Sequence, residues 1–191
     1  MPPTIKFQKE DILNTAYEIV KNEGFQSVNA RRIAKELGCS VQPIFHNFTS
    51  MEDLNEAVYR KIYDKYREYM LSGKDCVKGY KKMGLSYIKF AKDYPNFFKI
   101  IFMQNTNLDA TEFIMADSIG DDVIKTGQVL TGLSYEEQKK FHVQVWIFTH
   151  GIACLAATKT VEFTDEEIDQ LLEKTVGEML RGYLIVREES K

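Results

Sequence analysis

The sequence predicts an all-α protein: a cluster of three short helices at the N-terminus, then a larger set of longer ones, about nine helices in total. Three observations lead there. Apolar residues recur at steps of three and four along most of the chain, the pattern of amphipathic helices. Only four prolines and eleven glycines occur in 191 residues, which leaves little room for long irregular connectors. Capping residues stand before several of the periodic runs and glycines after others, as helix starts and stops require.

In the first helix Ile12, Ala16, Ile19 and Val20 share a face, and Asn22-Glu23-Gly24 ends the run with Gly24 as a left-handed stop. Asn29 is placed to cap a second, short helix with Ile33, Ala34 and Leu37 as its apolar face, and Gly38 stops it. Ser40 is expected to cap a third, with Val41, Gln42 and Pro43 as the first turn. A proline there removes an N–H that has no intrahelical acceptor. Ile44 and Phe48, four apart, then face inward, while Gln42 and His46 share another face.

Thr49 with Glu52 matches a capping box, with Ser50 and Asp53 as a shifted alternative. The long helix that follows buries Leu54, Ala57, Val58, Ile62 and Tyr66 and fades near Ser72-Gly73. Further helices are expected from about Asp75 to Asp93, through the aromatic run NFFKIIFMQ after the Tyr94-Pro95 break, and from about Ala110 to Leu130. The two most apolar run from about Tyr135 to Thr158 and from about Asp165 to Arg187. Thr164 caps the last, with Asp165, Glu166 and Glu167 in its electropositive first turn.

With 44 % hydrophobic and 28 % charged residues, the composition is that of a soluble globular protein. No apolar run reaches the roughly 18 residues of a membrane span, and the N-terminal residues lack a signal-peptide core. Cys39, Cys76 and Cys154 are odd in number and widely spaced, without a CxxC pair. That spacing suits neither a disulfide framework nor structural zinc. No cofactor or metal is expected, and the cytoplasm is the expected compartment. The net charge of −3 argues against non-specific nucleic-acid binding, but residues 1–50 carry +1 and the remainder −4.

Ala34, Gly38 four later and Ile44 six beyond that have the spacing of a helix-turn-helix. The alanine lets the second helix cross closely, the glycine takes the turn, and the isoleucine anchors the reading helix. Two packed structural helices would give the same spacing. The wider stretch narrows the choice. Residues 12 to 54, ILNTAYEIVKNEGFQSVNARRIAKELGCSVQPIFHNFTSMEDL, resemble the DNA-binding domain of the tetracycline-repressor (TetR) family along their whole length. The resemblance rests on Ala16, Gly24, Phe25, Ile33, Ala34, Gly38, Ser40, Ile44, Phe48, Ser50, Glu52 and Leu54. It implies a three-helix DNA reader in residues 1–50 and a helical ligand-binding and dimerisation domain in 51–191.

The resemblance also implies DNA contacts, position by position. Asn29 stands where a threonine usually caps the second helix and touches a phosphate, and Arg31 or Arg32 is placed to reach the backbone. Ser40, Gln42, Pro43, Phe45, His46 and Asn47 belong to the reading segment, with Gln42 suited to adenine and Pro43 to a thymine methyl. Phe45 replaces a tyrosine whose hydroxyl commonly bonds phosphate, Asn47 stands where histidine is frequent, and Met51 where a lysine is usual. A clamp short of a hydroxyl and a cation predicts a shallow salt dependence.

In the second half, HVQVWIFTHG, with Trp146, His150 and Gly151, resembles the Trp-His-Gly subgroup of the same family, as does YPNFFKIIFM. His150 and Cys154 would make a nucleophilic dyad or two metal ligands in principle. No Asp or Glu stands between Phe141 and Val161 to orient the histidine, so a packed histidine is expected and no enzyme. Gly151, Ala153, Ala156, Ala157, Gly177 and Gly182 suit two helices of each subunit packing as a four-helix bundle. The aromatic residues between are a core by their pattern alone. The family implies an inducer cavity there, with Tyr87, Phe102, Phe113, Trp146 and His150 as candidate lining. The expected function is a homodimeric transcriptional regulator, a repressor released from double-stranded operator DNA by a small apolar or aromatic inducer. The alternative is a helical ligand- or protein-binding dimer of the same fold without operator control.

Overall fold

The computed structural model describes residues 7–72, 79–105, 107–116 and 118–189. Among them are ten α-helices and no strand: α1 (Lys9–Glu23), α2 (Ala30–Leu37), α3 (Gln42–Asn47), α4 (Met51–Leu71), α5 (Gly79–Asp93), α6 (Pro95–Phe102), α7 (Ala110–Ile114), α8 (Ser118–Thr131), α9 (Tyr135–Ala157) and α10 (Asp165–Glu189). A single 3-10 turn, Phe25–Ser27, joins α1 to α2. Gly73, Asp75 and Cys76, named above, lie outside the described residues.

The chain divides into two compact units, Met1–Tyr66 with Asn96–Gln104, and Arg67–Pro95 with Asn105–Lys191. In the first, Ile12, Ala16, Ile33, Ile44, Phe48, Leu54, Val58 and Ile62 form a buried core, as their helical spacing predicts. The residues of α6 from Asn96 onward belong to this unit as well, thirty positions beyond Tyr66. Phe97 and Phe98 are fully buried; Phe97 lies 4.8 Å from the Tyr17 ring, and Phe102 meets Tyr66 edge-on at 5.1 Å. The Asn96 amide donates to the Lys21 carbonyl at 3.0 Å. In the second unit α5, α8, α9 and α10 bury Met83, Ile88, Phe90, Ile124, Phe141, Ile152, Ile168 and Leu172.

Several helix ends differ from expectation. The single helix from Ala110 to Leu130 is two, which is why ten helices appear where about nine were expected. An Asp109–Glu112 capping box opens α7. A Cβ on Gly120 would stand 2.1 Å from the Ile114 carbonyl oxygen, so only glycine lets α8 cross the end of α7 that closely. At α4 the shifted cap is the one formed. The Asp53 N–H donates to Ser50 Oγ at 3.2 Å, while the Asp53 carboxylate accepts from the Thr49 N–H at 2.9 Å. Ser40 does not cap α3: the residue before the helix is Val41, already helical at φ −71° and ψ −15°, and no side chain caps it. The usual cap bond from Ser40 would accept the N–H of the third residue on, and that residue is Pro43, which has none. Gly38 is left-handed at φ 67° and ψ 34°, whereas Gly24 stops α1 at φ 88° but with an extended ψ of 170°.

Candidate nucleic-acid interface

Helices α2 and α3 both pack on α1, and Ile33 and Ala34 of α2, Ile44 of α3 and Phe48 just after it are each under 5 % exposed. That fixes which side of α3 looks outward. Gln42 and His46, four apart, are both exposed, as is Ser40 before the helix, and Pro43 is half-buried. Phe45 is 50 % exposed and Val41 39 %. Val41 was not singled out by the sequence, although its four-residue spacing from Phe45 could have indicated it.

The polar residues around α3 sort into two groups. Asn29 Oδ1 accepts from the Arg32 backbone N–H at 2.9 Å, so its carbonyl caps α2. The Arg32 guanidinium is held by Glu23 at 2.7 Å and Glu36 at 3.1 Å. Arg31 is exposed and enters no ion pair among the described residues. Asn47 turns its amide inward, donating to the Pro43 carbonyl at 2.8 Å and the Phe7 carbonyl at 3.4 Å. Met51 is half-buried at the start of α4, and the Lys9 ammonium sits 4.7 Å above the Phe48 ring. The Thr49 N–H beside Asp53 holds that carboxyl below its ordinary range, which keeps the α4 cap charged.

In the second unit, four of the five expected ligand residues fall together. Tyr87 OH and His150 Nδ1 are hydrogen-bonded at 2.9 Å, Trp146 stacks on His150 at 4.6 Å and 14°, and Phe113 lies 5.7 Å from Trp146. The fifth, Phe102, belongs to the first unit, with Tyr66 and Phe98. One turn from this cluster, His142 is buried against Tyr80, with OH and Nδ1 at 2.8 Å. Burial holds His142 at about 4, well below the ordinary histidine value.

Cys154 Sγ lies 3.3 Å from His150 Nε2. Burial pushes the Cys154 thiol up and the His150 imidazole down, so both are neutral near pH 7. An activated thiolate–imidazolium pair needs the opposite shifts. Among the described residues, no group of three or more His, Cys, Asp or Glu is arranged to hold a metal ion.

The small residues of the last two helices divide. Ala153 and Ala157 are buried within the chain. Gly151, Gly177 and Gly182 face open space, with nothing within 4 Å of an added Cβ. Ile147, Leu155, Leu171, Ile185 and Val186 are exposed on the same two helices. No described helix is long and apolar enough to cross a membrane.

Residues 12–58, spanning α1 through the first two turns of α4, match the family described as bacterial regulatory proteins, tetR family. No curated protein sequence matches the chain. In fold the chain is similar to a transcriptional regulator from Rhodococcus sp. Rha1, with a TM-score of 0.59 at 15 % identity, over 92 % of this chain and 97 % of that one. At that identity the likeness speaks for the fold alone. The α2-turn-α3 arrangement lies inside the segment that matches the tetR family, and the described residues around that segment are helical without a strand.

Proposed function

We propose that the protein is a homodimeric, one-component transcriptional repressor of the cytoplasm, released from its operator by a small apolar or aromatic ligand. Residues 1–50 read the DNA; residues 51–191 take the ligand and the second copy. The supporting observation is α3, whose Gln42 and His46 are exposed while Ile44 and Phe48 anchor the helix from behind. Gln42 is matched to adenine N6 and N7, and His46 to an acceptor on a base edge. Asn29, through the amide NH2 left over from its cap, and Arg31 position the backbone.

The second half is assigned to the Trp-His-Gly subgroup on Trp146, His150 and Gly151, and Trp146 stacked on His150 supports an aromatic ligand wall. The open glycines and exposed apolar residues of α9 and α10 support the dimer. Helix α4 runs without a break from Met51 to Leu71, with residues in both compact units. A ligand that binds one arrangement of the regulatory half more tightly then shifts the population of DNA-competent dimers.

The alternative, a dimer of this fold without operator control, is favoured by one observation: Arg32 and Asn47 are engaged within the protein, which thins the phosphate grip. Selection from a random duplex pool separates the two. Enrichment of a two-fold symmetric site supports the regulator, and a pool that stays random after repeated rounds removes it. Release is tested by native mass spectrometry of protein purified from its own cells, where a bound small molecule that weakens binding to the selected site is the expected result.

A further inference from the structure

We infer that this protein recognises thymine by its methyl group, at two positions in each half-site, through the side chains of Val41 and Phe45. The inference rests on the proposed operator-reading role of α3 and names what that helix reads.

Guanine is most often read in the major groove by a bidentate Arg or Lys on O6 and N7. Helix α3, Gln42–Asn47, carries neither, and the nearby Arg32 is held by Glu23 and Glu36. What the helix does offer is apolar. Phe45 leaves half of its surface exposed and Val41 39 %, although the inward face is already closed by Ile44 and Phe48 at 0 % and 1 %. Folding does not ask for a valine and a phenylalanine at those positions.

Val41 and Phe45 are four apart and make one row; Gln42 and His46 are four apart and make the next. An A·T pair presents its groups in the same order across the major groove, the thymine C5 methyl on one side and adenine N6 and N7 on the other. An apolar row beside an amide therefore fits A·T steps. A G·C pair offers no methyl to the apolar row, and its guanine edge presents two acceptors, N7 and O6, where an amide matches the donor and acceptor of adenine.

The test uses the full-length protein and its selected site, with each thymine replaced singly by deoxyuridine. That change removes the methyl and keeps the pairing and every hydrogen-bonding atom. Two positions per half-site are expected at which the replacement weakens binding roughly three- to fivefold, the effect of one buried methyl. Val41→Ala, at an exposed position and checked for folding by circular dichroism, is expected to bind the thymine and deoxyuridine duplexes equally at one of the two. A specific site whose affinity no replacement changes overturns the inference and leaves the regulator standing. Unchanged deoxyuridine sensitivity in Val41→Ala likewise overturns the assignment. A pool with no enriched site overturns both.

Discussion

Two neighbouring arginines illustrate why sequence position alone does not assign a DNA contact. Arg31 and Arg32 were equal candidates, yet Arg32 is tied to two carboxylates and Arg31 to none among the described residues. Arg31→Ala should weaken binding to all DNA sequences alike and flatten the salt dependence by about one unit in log–log slope, readable by anisotropy titrations at several salt concentrations. Arg32→Ala should leave the slope in place and lower stability by at most about 1 kcal/mol, because its pairs are partly exposed. At the same scale, His142 makes stability pH-dependent. Its folded value of about 4 lies below the ordinary 6.5, so the unfolded chain takes up a proton first as pH falls. Stability is therefore full above about pH 6.5 and declines towards pH 4, by roughly 3 kcal/mol at the lower end. His150 shifts in the same direction. Urea titrations across that window should show a slope that His142→Gln, which cannot titrate, largely removes.

At the level of the element, what the sequence made legible was the set of buried faces. Ile12, Ala16, Ile33, Ile44, Phe48, Leu54 and Ile62 were identified by spacing alone, because burial follows the helical period directly. Less legible were events that depend on another segment. The break between α7 and α8 is set by Gly120 passing the Ile114 carbonyl, a contact that periodicity does not encode. Gly120→Ala should destabilise the protein by about 1–3 kcal/mol, seen as a lower denaturant midpoint with unchanged slope. The α3 start differs from expectation for a local reason: Ser40 has the right chemistry, but the third residue after it is Pro43, which has no N–H to give a cap. In the reading segment, Gln42 and His46 emerged on one exposed face as their spacing required. The Asn47 amide turns inward to the Pro43 carbonyl four residues back and to the Phe7 carbonyl forty residues away, and the second contact is not visible from local pattern.

For the whole molecule, the proposal requires two copies, because helix-turn-helix readers address half-sites about 34–36 Å apart. The exposed Ile147 and Ile185, with the open glycines of α9 and α10, are the places to test it. Ile147→Glu combined with Ile185→Glu should shift sedimentation from dimer to monomer without loss of helix content, since neither side chain contributes to the buried core. A dimer that persists in the double variant would move the interface elsewhere. Operator affinity should fall as the dimer is lost, because each half-site contact is then no longer linked to the other.

The central claim is that α3 reads base sequence, and one comparison addresses it directly. Anisotropy titrations at a single fixed salt concentration would measure the wild type and the Gln42→Ala, His46→Ala double variant on the selected site and on a scrambled duplex. Both residues are exposed, so the fold should hold. The ratio of specific to non-specific affinity should fall about 100-fold, the loss of two base contacts, while scrambled-duplex affinity stays nearly constant. A ratio unchanged in the double variant would contradict the account.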